Sequence, residues 1–358
     1  MNVLSESAPK HVSCELALSG DPRHTRQVVT GFFELAAAGI IDLTVRPSDE
    51  WPESVCAVKA TVNGCRLIYE TMDGWNIPAD LHASLKDIDY YFKRSLDLTR
   101  RQDVPATVRL LPLGLNYLAV SRHNTWHRGT RPLNARRLAN HLVRRASGAL
   151  VWAGLRDVRD MRIADLECSP AVSTRPTALF MTRAWDPKGC DSQVAAGRQE
   201  LNDGRAACIK AARHEFGERF YGGFAADDFS RREYGDCLLP GSRDGEQYAL
   251  VQRVRQADVC VATHGLHGCI GWKMAEYVAA SRAIVSEPLL HVLPGGFAAG
   301  INYLEFCSVN NFVEAIGTLF TDADLRLQMM QANNAYYRQW VRPDAQVLQT
   351  LRIVQQNR

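Results

Sequence analysis

The chain has 358 residues, of which 46% are hydrophobic and 23% charged, and a formal net charge of +3. This composition is typical of a globular protein, and the length predicts two domains, because single hydrophobic cores stop growing at about 250–300 residues. The small net charge argues against a nucleic-acid partner. No apolar run of about 18 residues predicts a transmembrane helix, and the first residues lack the pattern of a signal peptide.

The cysteines give no sign of a metal site. Ten of them are scattered along the chain, none spaced as C-x-x-C, and no histidine pair completes a zinc pattern. We interpret them as reduced, mostly buried thiols, which indicates a cytoplasmic protein. No carboxylate cluster such as D-x-D precedes a strand end either, so we expect no metal. We also expect no bound cofactor.

The first 120 residues alternate between strand and helix patterns. Residues 11–19 and 40–45 have strand patterns, and residues 25–39 between them have the apolar spacing of a helix. The pair Asn63-Gly64 lies between two β-rich runs and is a strong hairpin signal. Further strand-to-loop units end at Ser95 and Tyr117. This rhythm predicts an α/β domain with parallel strands.

Residues 121–148 differ from their surroundings, because they contain many arginines and no acidic residue. They have two interpretations: a solvated connecting helix that packs one face, or a surface that contacts anionic lipid headgroups or an anionic acceptor. We assign this basic connecting helix to an N-terminal domain of residues 1–150.

The second half repeats the α/β rhythm. Strand patterns and helix patterns alternate over residues 177–187, 192–216, 218–224, 246–257, 257–265, 283–288 and 301–308, and tail helices follow. We expect a second domain at residues 170–340, with a further helix at residues 341–358. Ligands of doubly wound sheets bind outside the carboxyl ends of the strands, so the loops after these strands are the candidate sites.

One of these loops is rich in glycine and opens a helix. His264, Gly265 and Gly268 follow a buried strand, and the helix carries Lys273 and Glu276. The two charged residues could form a surface ion pair worth a few tenths of a kcal/mol. Alternatively, Glu276 accepts hydrogen bonds from two ribose hydroxyls, while Lys273 and the helix N-terminus meet phosphates. The residue pattern leaves both interpretations open.

The segment ADVCVATHGLHGCIGWKMAEYVAASRAIVSEP, together with the later NFVEAIGTLFTDADLRLQMMQANN, resembles the sugar-nucleotide-binding half of group 1 glycosyltransferases with the GT-B fold. The resemblance covers roughly residues 175–340. It implies an α/β fold in which two Rossmann-like domains face each other across a cleft. It also implies that the last helix, residues 341–358, crosses back to the first domain.

The resemblance assigns roles to individual residues. Glu276 matches the ribose-binding glutamate of the family, and Arg183 and Lys188 match the pair that neutralises the donor diphosphate. The E-x7-E pattern of the family would require a glutamate at position 268, where this chain has Gly268. Whether transfer retains or inverts the anomeric configuration therefore stays open.

The first domain would hold the acceptor. Asp73 is the candidate base for the acceptor hydroxyl, although it could instead be a turn residue that caps Gly74. Lys93 and Arg94 could bind an anionic group or face water, and Asn116 lies at a third strand end. We expect these three residues to contact the acceptor.

These observations predict a metal-independent glycosyltransferase that moves a sugar from a nucleotide-diphosphate sugar to a hydroxyl of a glycan, lipid-linked or small-molecule acceptor. Surface polysaccharide or glycoconjugate synthesis is the expected pathway, with peripheral contact to the inner face of an anionic membrane. Two alternatives stay open: a sugar-nucleotide epimerase or hydrolase on the same scaffold, and a non-catalytic protein that binds sugar nucleotides or glycans.

Overall fold

The computed structural model describes residues 12–19, 23–52, 54–126, 161–241 and 247–356. Most of the predicted basic helix within residues 121–148 lies outside these ranges. Within them, no helix is both long enough and apolar enough to cross a membrane.

Six strands form the sheet of the N-terminal domain, in the order β2-β1-β3-β4-β5-β6. Their bounds are Val12–Leu18 (β1), Ile41–Pro47 (β2), Ala57–Val62 (β3), Cys65–Glu70 (β4), Tyr90–Lys93 (β5) and Arg109–Pro112 (β6). Helix α1 (Arg26–Ala37) connects β1 to β2 as a parallel pair, and the short helix α2 (Ala79–Ser84) precedes β5. The crossover through α1 was predicted from the helical spacing of its apolar residues.

The predicted hairpin joins β3 to β4 and makes β3 antiparallel to both of its neighbours. Asn63 and Gly64 both have positive φ, at 47° and 88°, as a tight two-residue turn requires. The strands β4, β5 and β6 then run parallel, so their carboxyl ends lie along one edge of the sheet.

The C-terminal domain contains a fully parallel sheet with the order β11-β10-β9-β7-β8. Its strands are Ala178–Thr182 (β7), Phe220–Phe224 (β8), Val259–Ala262 (β9), Ala283–Ser286 (β10) and Leu304–Glu305 (β11). Strands β7, β9 and β10 are buried along their whole length, because helices cover both faces of the sheet.

The other described α-helices follow the N-terminal sheet in the chain. They are Ile163–Leu166 (α3), Ser192–Phe216 (α4), Asp228–Glu233 (α5), Gln247–Gln256 (α6), Trp272–Ala279 (α7), Val309–Thr321 (α8), Ala323–Tyr336 (α9) and Pro343–Gln356 (α10). A π-helical turn, Tyr337–Val341, separates α9 from α10.

This π-helical turn carries the chain back to the N-terminal domain. The Gln27 side chain donates to the carbonyl oxygen of Val341 at 2.8 Å, and the hydroxyls of Tyr69 and Thr350 are 2.8 Å apart. Helix α10 packs directly on α1 at Gly31, where a Cβ atom would lie 2.1 Å from the carbonyl oxygen of Pro343. The last helix therefore belongs to the packing of the first domain.

The two domains meet through loops at the carboxyl ends of their parallel strands. The backbone amide of Val292, after β10, donates to the carbonyl oxygen of Leu96, after β5, at 2.9 Å. The predicted fold class is confirmed: the chain is an α/β protein with two Rossmann-like domains that face each other across a cleft.

Candidate functional site

The C-terminal sheet has a switch point between β7 and β9. The chain leaves β7 for β8 on one side of the sheet and returns to β9 on the other side. The loops after these two strands therefore diverge and leave a crevice, which is where doubly wound sheets bind their ligands. Arg183 begins the loop after β7, and the glycine-rich loop from Gly265 to Gly271 follows β9.

A buried arginine, Arg205 of α4, ties these two loops together. It donates to the carbonyl oxygens of Arg183 and His264, at 2.8 and 2.6 Å, and to the Thr263 hydroxyl at 3.0 Å. Burial lowers the pKa of Arg205 to about 10, against the opposing effect of Glu287. Arg205 thus fixes both walls of the crevice and leaves a positive charge beneath them.

Glu276 of α7 is the most unusual group in the crevice. Its side chain is buried, with the residue only 5% exposed, and its Oε2 atom has no hydrogen-bond partner among the described residues. Burial raises the pKa of Glu276, and the ammonium group of Lys273 opposes this shift. A buried carboxylate oxygen without a partner is costly, so a ligand that donates hydrogen bonds would bind favourably here.

Lys273 is half-buried beside Glu276. Burial lowers the pKa of Lys273, the charge of Glu276 raises it, and Arg183 and Arg205 lower it further. Among the described residues it forms no ion pair with Glu276, so the surface ion pair of the simpler interpretation is not formed. Lys273, Arg183 and Arg205 instead make the crevice electropositive around one buried carboxylate.

Backbone geometry explains two glycines of the loop. A Cβ atom on Gly265 would lie 2.5 Å from the Cys269 sulfur, so this position has no room for a side chain. Gly268 has φ of +66°, and its Cβ would lie 2.9 Å from a methyl group of Leu290. The glutamate that the family pattern places at position 268 would therefore be strained and crowded in this chain.

His264 is hydrogen-bonded to the loop after β10, so its ring is not free to turn toward a ligand in the crevice. Its Nε2 atom donates to the carbonyl oxygen of Pro288 at 2.5 Å, and its backbone amide donates to Glu287 Oε2 at 2.6 Å. The Nδ1 atom lies 3.4 Å from the same carboxylate oxygen. Both ring nitrogens are thus directed at protein groups.

The predicted diphosphate pair lies on the loop after β7. Arg183 and Lys188 are both exposed, and the guanidinium of Arg183 stands 5.5 Å from the ring centre of Trp185. The backbone amide of Lys188 donates to Asp186 at 2.9 Å. Arg183 is coupled electrostatically to Lys273 across the crevice. Lys188 lies farther along the same loop.

On the opposite wall, Arg94 connects the N-terminal domain to the glycine-rich loop. It donates to the Asp73 carboxylate at 2.5 Å and also to the carbonyl oxygen of Ile270. The Cys269 thiol is buried next to them, which raises its pKa to about 12, and the charge of Asp73 contributes. Asp73 and Arg94 therefore lie at the seam between the domains. The sequence had placed both residues only at strand ends.

Lys93 does not lie where the acceptor prediction requires. Its side chain is completely buried and forms an ion pair with Glu70, which also accepts from Tyr91 at 3.0 Å. Successive residues of a strand alternate between its two faces, so Lys93 and Arg94 point in opposite directions. Lys93 is a structural residue in this arrangement, and its assignment to the acceptor site is corrected.

Asn116, the third predicted acceptor residue, is buried. Its amide nitrogen donates to the carbonyl oxygen of His24 at 3.1 Å, and its Oδ1 atom has no partner among the described residues. The His24 ring contacts the Trp272 ring edge-on, with centroids 5.2 Å apart. Asn116 thus supports a segment that reaches the N-terminus of α7.

Two residues of the site were not predicted from the sequence. Glu287 directly follows β10, so the strand-end rule could have identified it. Arg205 lies in the middle of the long polar helix α4, where its charge resembles that of a solvated helix face. Only the packing of α4 against the sheet shows that Arg205 is buried.

Comparisons with known proteins give distant structural likenesses. No family model and no curated protein matches the chain. The chain is similar to a glycosyltransferase from Rickettsia africae ESF-5, at 10% identity, with 95% of this chain and 83% of that chain covered and a TM-score of 0.43. It is also similar to the C-terminal domain of a group 1 family glycosyl transferase (LpcC) from Francisella tularensis, at 14% identity over 47% of this chain and 93% of that one, with a TM-score of 0.32.

A third similar structure is a putative UDP-N-acetylglucosamine 2-epimerase from Listeria monocytogenes, at 12% identity, 96% and 95% coverage and a TM-score of 0.41. At these identities and scores the likenesses assign no activity, and the fold assignment rests on the strand order and the crossing helix of the chain itself. That architecture, two Rossmann-like domains that face each other across a cleft, is the GT-B fold.

Proposed function

We propose that the protein is a glycosyltransferase that takes a sugar from a nucleotide-diphosphate sugar and transfers it to an acceptor hydroxyl. The observation that carries this proposal is the buried Glu276 carboxylate, whose Oε2 atom lacks a partner among the described residues. The two adjacent hydroxyls of a ribose are donors that suit a carboxylate, and their binding would offset its cost of burial.

The charges around Glu276 suit the diphosphate of the same ligand. Arg183 and Lys273 carry basic side chains, and α7 begins at Trp272, directly after the glycine-rich loop. A helix N-terminus and nearby cations stabilise phosphate oxygens. The same groups would stabilise the charge that develops on a departing nucleoside diphosphate, so the proposal requires no metal ion. Lys188 would add to this charge at the outer edge of the loop.

The acceptor would enter at the seam, next to Asp73, Arg94 and the glycine-rich loop. Both residues lie at the seam, and Arg94 touches Ile270 in that loop. Asn116 would affect acceptor binding indirectly, because it holds the segment that contains His24. Surface polysaccharide or glycoconjugate synthesis, the cytoplasmic location and the peripheral membrane contact stay predictions from the sequence.

The first experiment measures thermal unfolding of the purified protein with a panel of nucleoside diphosphates and their sugars. A ligand at about 100 times its Kd stabilises the folded state by about 2.7 kcal/mol. We expect stabilisation by one nucleotide family, and loss of that stabilisation in Glu276→Ala and Arg183→Ala. Glu314→Gln on α8 and Arg175→Ala are matched controls, because both residues are exposed and lie outside the crevice.

Turnover then separates the candidate functions. A glycosyltransferase releases nucleoside diphosphate faster when an acceptor is added, whereas an epimerase or hydrolase converts the sugar nucleotide without one. A protein that binds the nucleotide but converts it under neither condition is a binding protein. If no nucleotide changes the unfolding temperature, or if Glu276→Ala binds as well as the unaltered protein, the proposed site is wrong.

A further inference from the structure

A second cavity lies on the side of the C-terminal sheet opposite to the crevice. Its volume is about 380 Å³, and its walls come from the segment after α3, the end of α7, the π-helical turn and α10. In one wall, the carbonyl oxygen of Cys168 accepts from the Ser281 hydroxyl at 2.7 Å. The carbonyl oxygen of Ser169 accepts from the Arg282 guanidinium at 3.3 Å. Ser281 and Arg282 directly precede β10, so the cavity lies at the amino end of this strand, whereas the crevice lies at the carboxyl ends.

Arginines make this cavity electropositive. Its described lining contains three arginines, Arg338, Arg342 and Arg352, and two carboxylates, Glu167 and Asp344, so one positive charge is in excess. Arg338 and Arg342 are four positions apart around the π-helical turn. An enclosed surface with this balance of charge attracts a small anion.

Two of these arginines have donors that the protein does not use. Arg338 is exposed, and among the described residues its guanidinium makes one hydrogen bond, from Nε to Asn334 Oδ1 at 2.9 Å. Arg342 donates from Nε to Glu167 at 3.0 Å and from Nη1 to Asp344 at 2.5 Å. Its Nη2 atom has no partner in the described parts of the chain. The terminal nitrogens of both arginines are thus available to an anion.

Glu167 supplies a hydrogen-bond acceptor in the same cavity. Its Oε1 atom accepts from the Tyr337 hydroxyl and from Arg342 Nε, both at 3.0 Å. Its Oε2 atom accepts from no described residue, and the side chain is 37% exposed. The contacts with Tyr337 and Arg342 hold the carboxylate in place, so Oε2 is available to a hydroxyl group of a ligand.

The lining favours one class of anion over others. A guanidinium binds phosphate oxygens through parallel hydrogen bonds, and a carboxylate accepts from hydroxyl groups. A nucleotide base would gain from an aromatic face on which to stack. Tyr337, the one aromatic residue of the described lining, is only 2% exposed and offers no such face. The size of the cavity and its polar groups therefore suit a small phosphate that carries several hydroxyl groups.

We infer that this cavity is a second ligand site, which binds a sugar phosphate or a similar phosphorylated polyol. The phosphate would contact the terminal nitrogens of Arg338 and Arg342, and a hydroxyl group would donate to Glu167 Oε2. Arg352 would add to the positive potential from α10. The site goes beyond the proposed glycosyl transfer, because its described lining includes none of the residues that we assign to the crevice.

The test measures binding to the full chain by isothermal titration calorimetry at low ionic strength, with glucose 6-phosphate, glucose and inorganic phosphate as probes. We expect saturable binding of glucose 6-phosphate, and a Kd at least about tenfold higher for glucose and for phosphate, since each lacks one kind of contact. Arg338→Gln should raise the Kd for glucose 6-phosphate about tenfold or more. Ala345→Trp should abolish binding, because the indole would occupy the cavity. The matched control is Arg231→Gln, which alters an exposed arginine of α5 outside the cavity and should bind normally.

The inference is overturned if glucose 6-phosphate does not bind, if inorganic phosphate binds equally well, or if Arg338→Gln binds as tightly as the unaltered protein. Arg338 is exposed, so its substitution decides the result even if Ala345→Trp does not fold. Loss of binding in Arg183→Ala would place the probe in the crevice and would also overturn the inference. An unaltered protein that binds glucose 6-phosphate but no nucleotide would contradict the proposed function and leave this second site standing.

Discussion

Arg94 of the N-terminal domain donates a hydrogen bond to the carbonyl oxygen of Ile270 in the glycine-rich loop of the C-terminal domain. The same guanidinium is paired with Asp73 at 2.5 Å, and Arg94 is only 4% exposed. A planar guanidinium can make both contacts at once, since its donors point in different directions. The position of the loop that begins α7 is therefore coupled to a carboxylate on the acceptor wall.

The first prediction concerns this coupling. Arg94→Lys keeps the positive charge beside Asp73 but cannot reach both partners at once, so the seam should loosen. We expect turnover to fall about 10–10²-fold, because small displacements of reacting groups have large effects on rate. Nucleotide binding should persist. Hydrogen exchange should accelerate at the amides of Gly265–Gly271; unchanged exchange there would contradict the coupling.

A second prediction follows from the raised pKa of Glu276. The folded state holds the Glu276 proton more tightly than the unfolded state, so this group stabilises the fold below its unfolded pKa. That contribution is lost as pH rises through the folded pKa. At neutral pH, Glu276→Gln should therefore raise the unfolding free energy of the ligand-free protein by about 1 kcal/mol, while it abolishes nucleotide binding.

Urea unfolding at acid and at neutral pH measures this effect. The gain from Glu276→Gln should be present at neutral pH and should shrink toward about pH 4, where an ordinary glutamate becomes protonated. Glu314→Gln, in which the altered side chain is exposed, should show no such pH dependence. If Glu276→Gln and the unaltered protein were equally stable at every pH, Glu276 would not be buried as a charged group.

The third prediction separates a structural Lys93 from an acceptor-binding one. Lys93→Met leaves the Glu70 carboxylate buried without its cation, and breaking such a buried pair costs about 3–5 kcal/mol. The double variant Glu70→Gln/Lys93→Met should recover much of this loss in urea unfolding. A variant Lys93→Met with unaltered stability and a raised KM for the acceptor would restore the sequence prediction.

The fourth prediction compares two helical glycines. Gly31→Ala places a Cβ atom 2.1 Å from the carbonyl oxygen of Pro343, and backbone cannot move aside as a side chain can. We expect a loss of about 1–3 kcal/mol or more, because α10 must shift away from α1.

Gly204→Ala on α4 is the matched change, since no atom lies within 4 Å of its Cβ position. It should instead add about 0.5–1 kcal/mol through helix propensity. Urea midpoints compare the two variants directly. Equal effects would show that α10 does not pack on α1 as described.

The sequence by itself determined the order of the elements and which loops are candidates for the site. The long helix Ser192–Phe216 and the hairpin at Asn63-Gly64 follow from local periodicity and turn chemistry, which depend only on neighbouring residues. The strand-end rule also selected Arg183 and the glycine-rich loop as candidates, because parallel strands end along one edge of a sheet.

Only the tertiary structure decided which of these groups are buried and what they contact. The periodicity of α7 predicted one apolar face, but α7 packs against the sheet, α9 and the π-helical turn, so every residue from Met274 to Ala279 is buried. For this reason Glu276 lies inside the protein instead of in a surface ion pair. Burial also pairs Lys93 with Glu70 and directs Arg205 at the two loops. Such contacts join residues far apart in the chain, and local patterns carry no information about them.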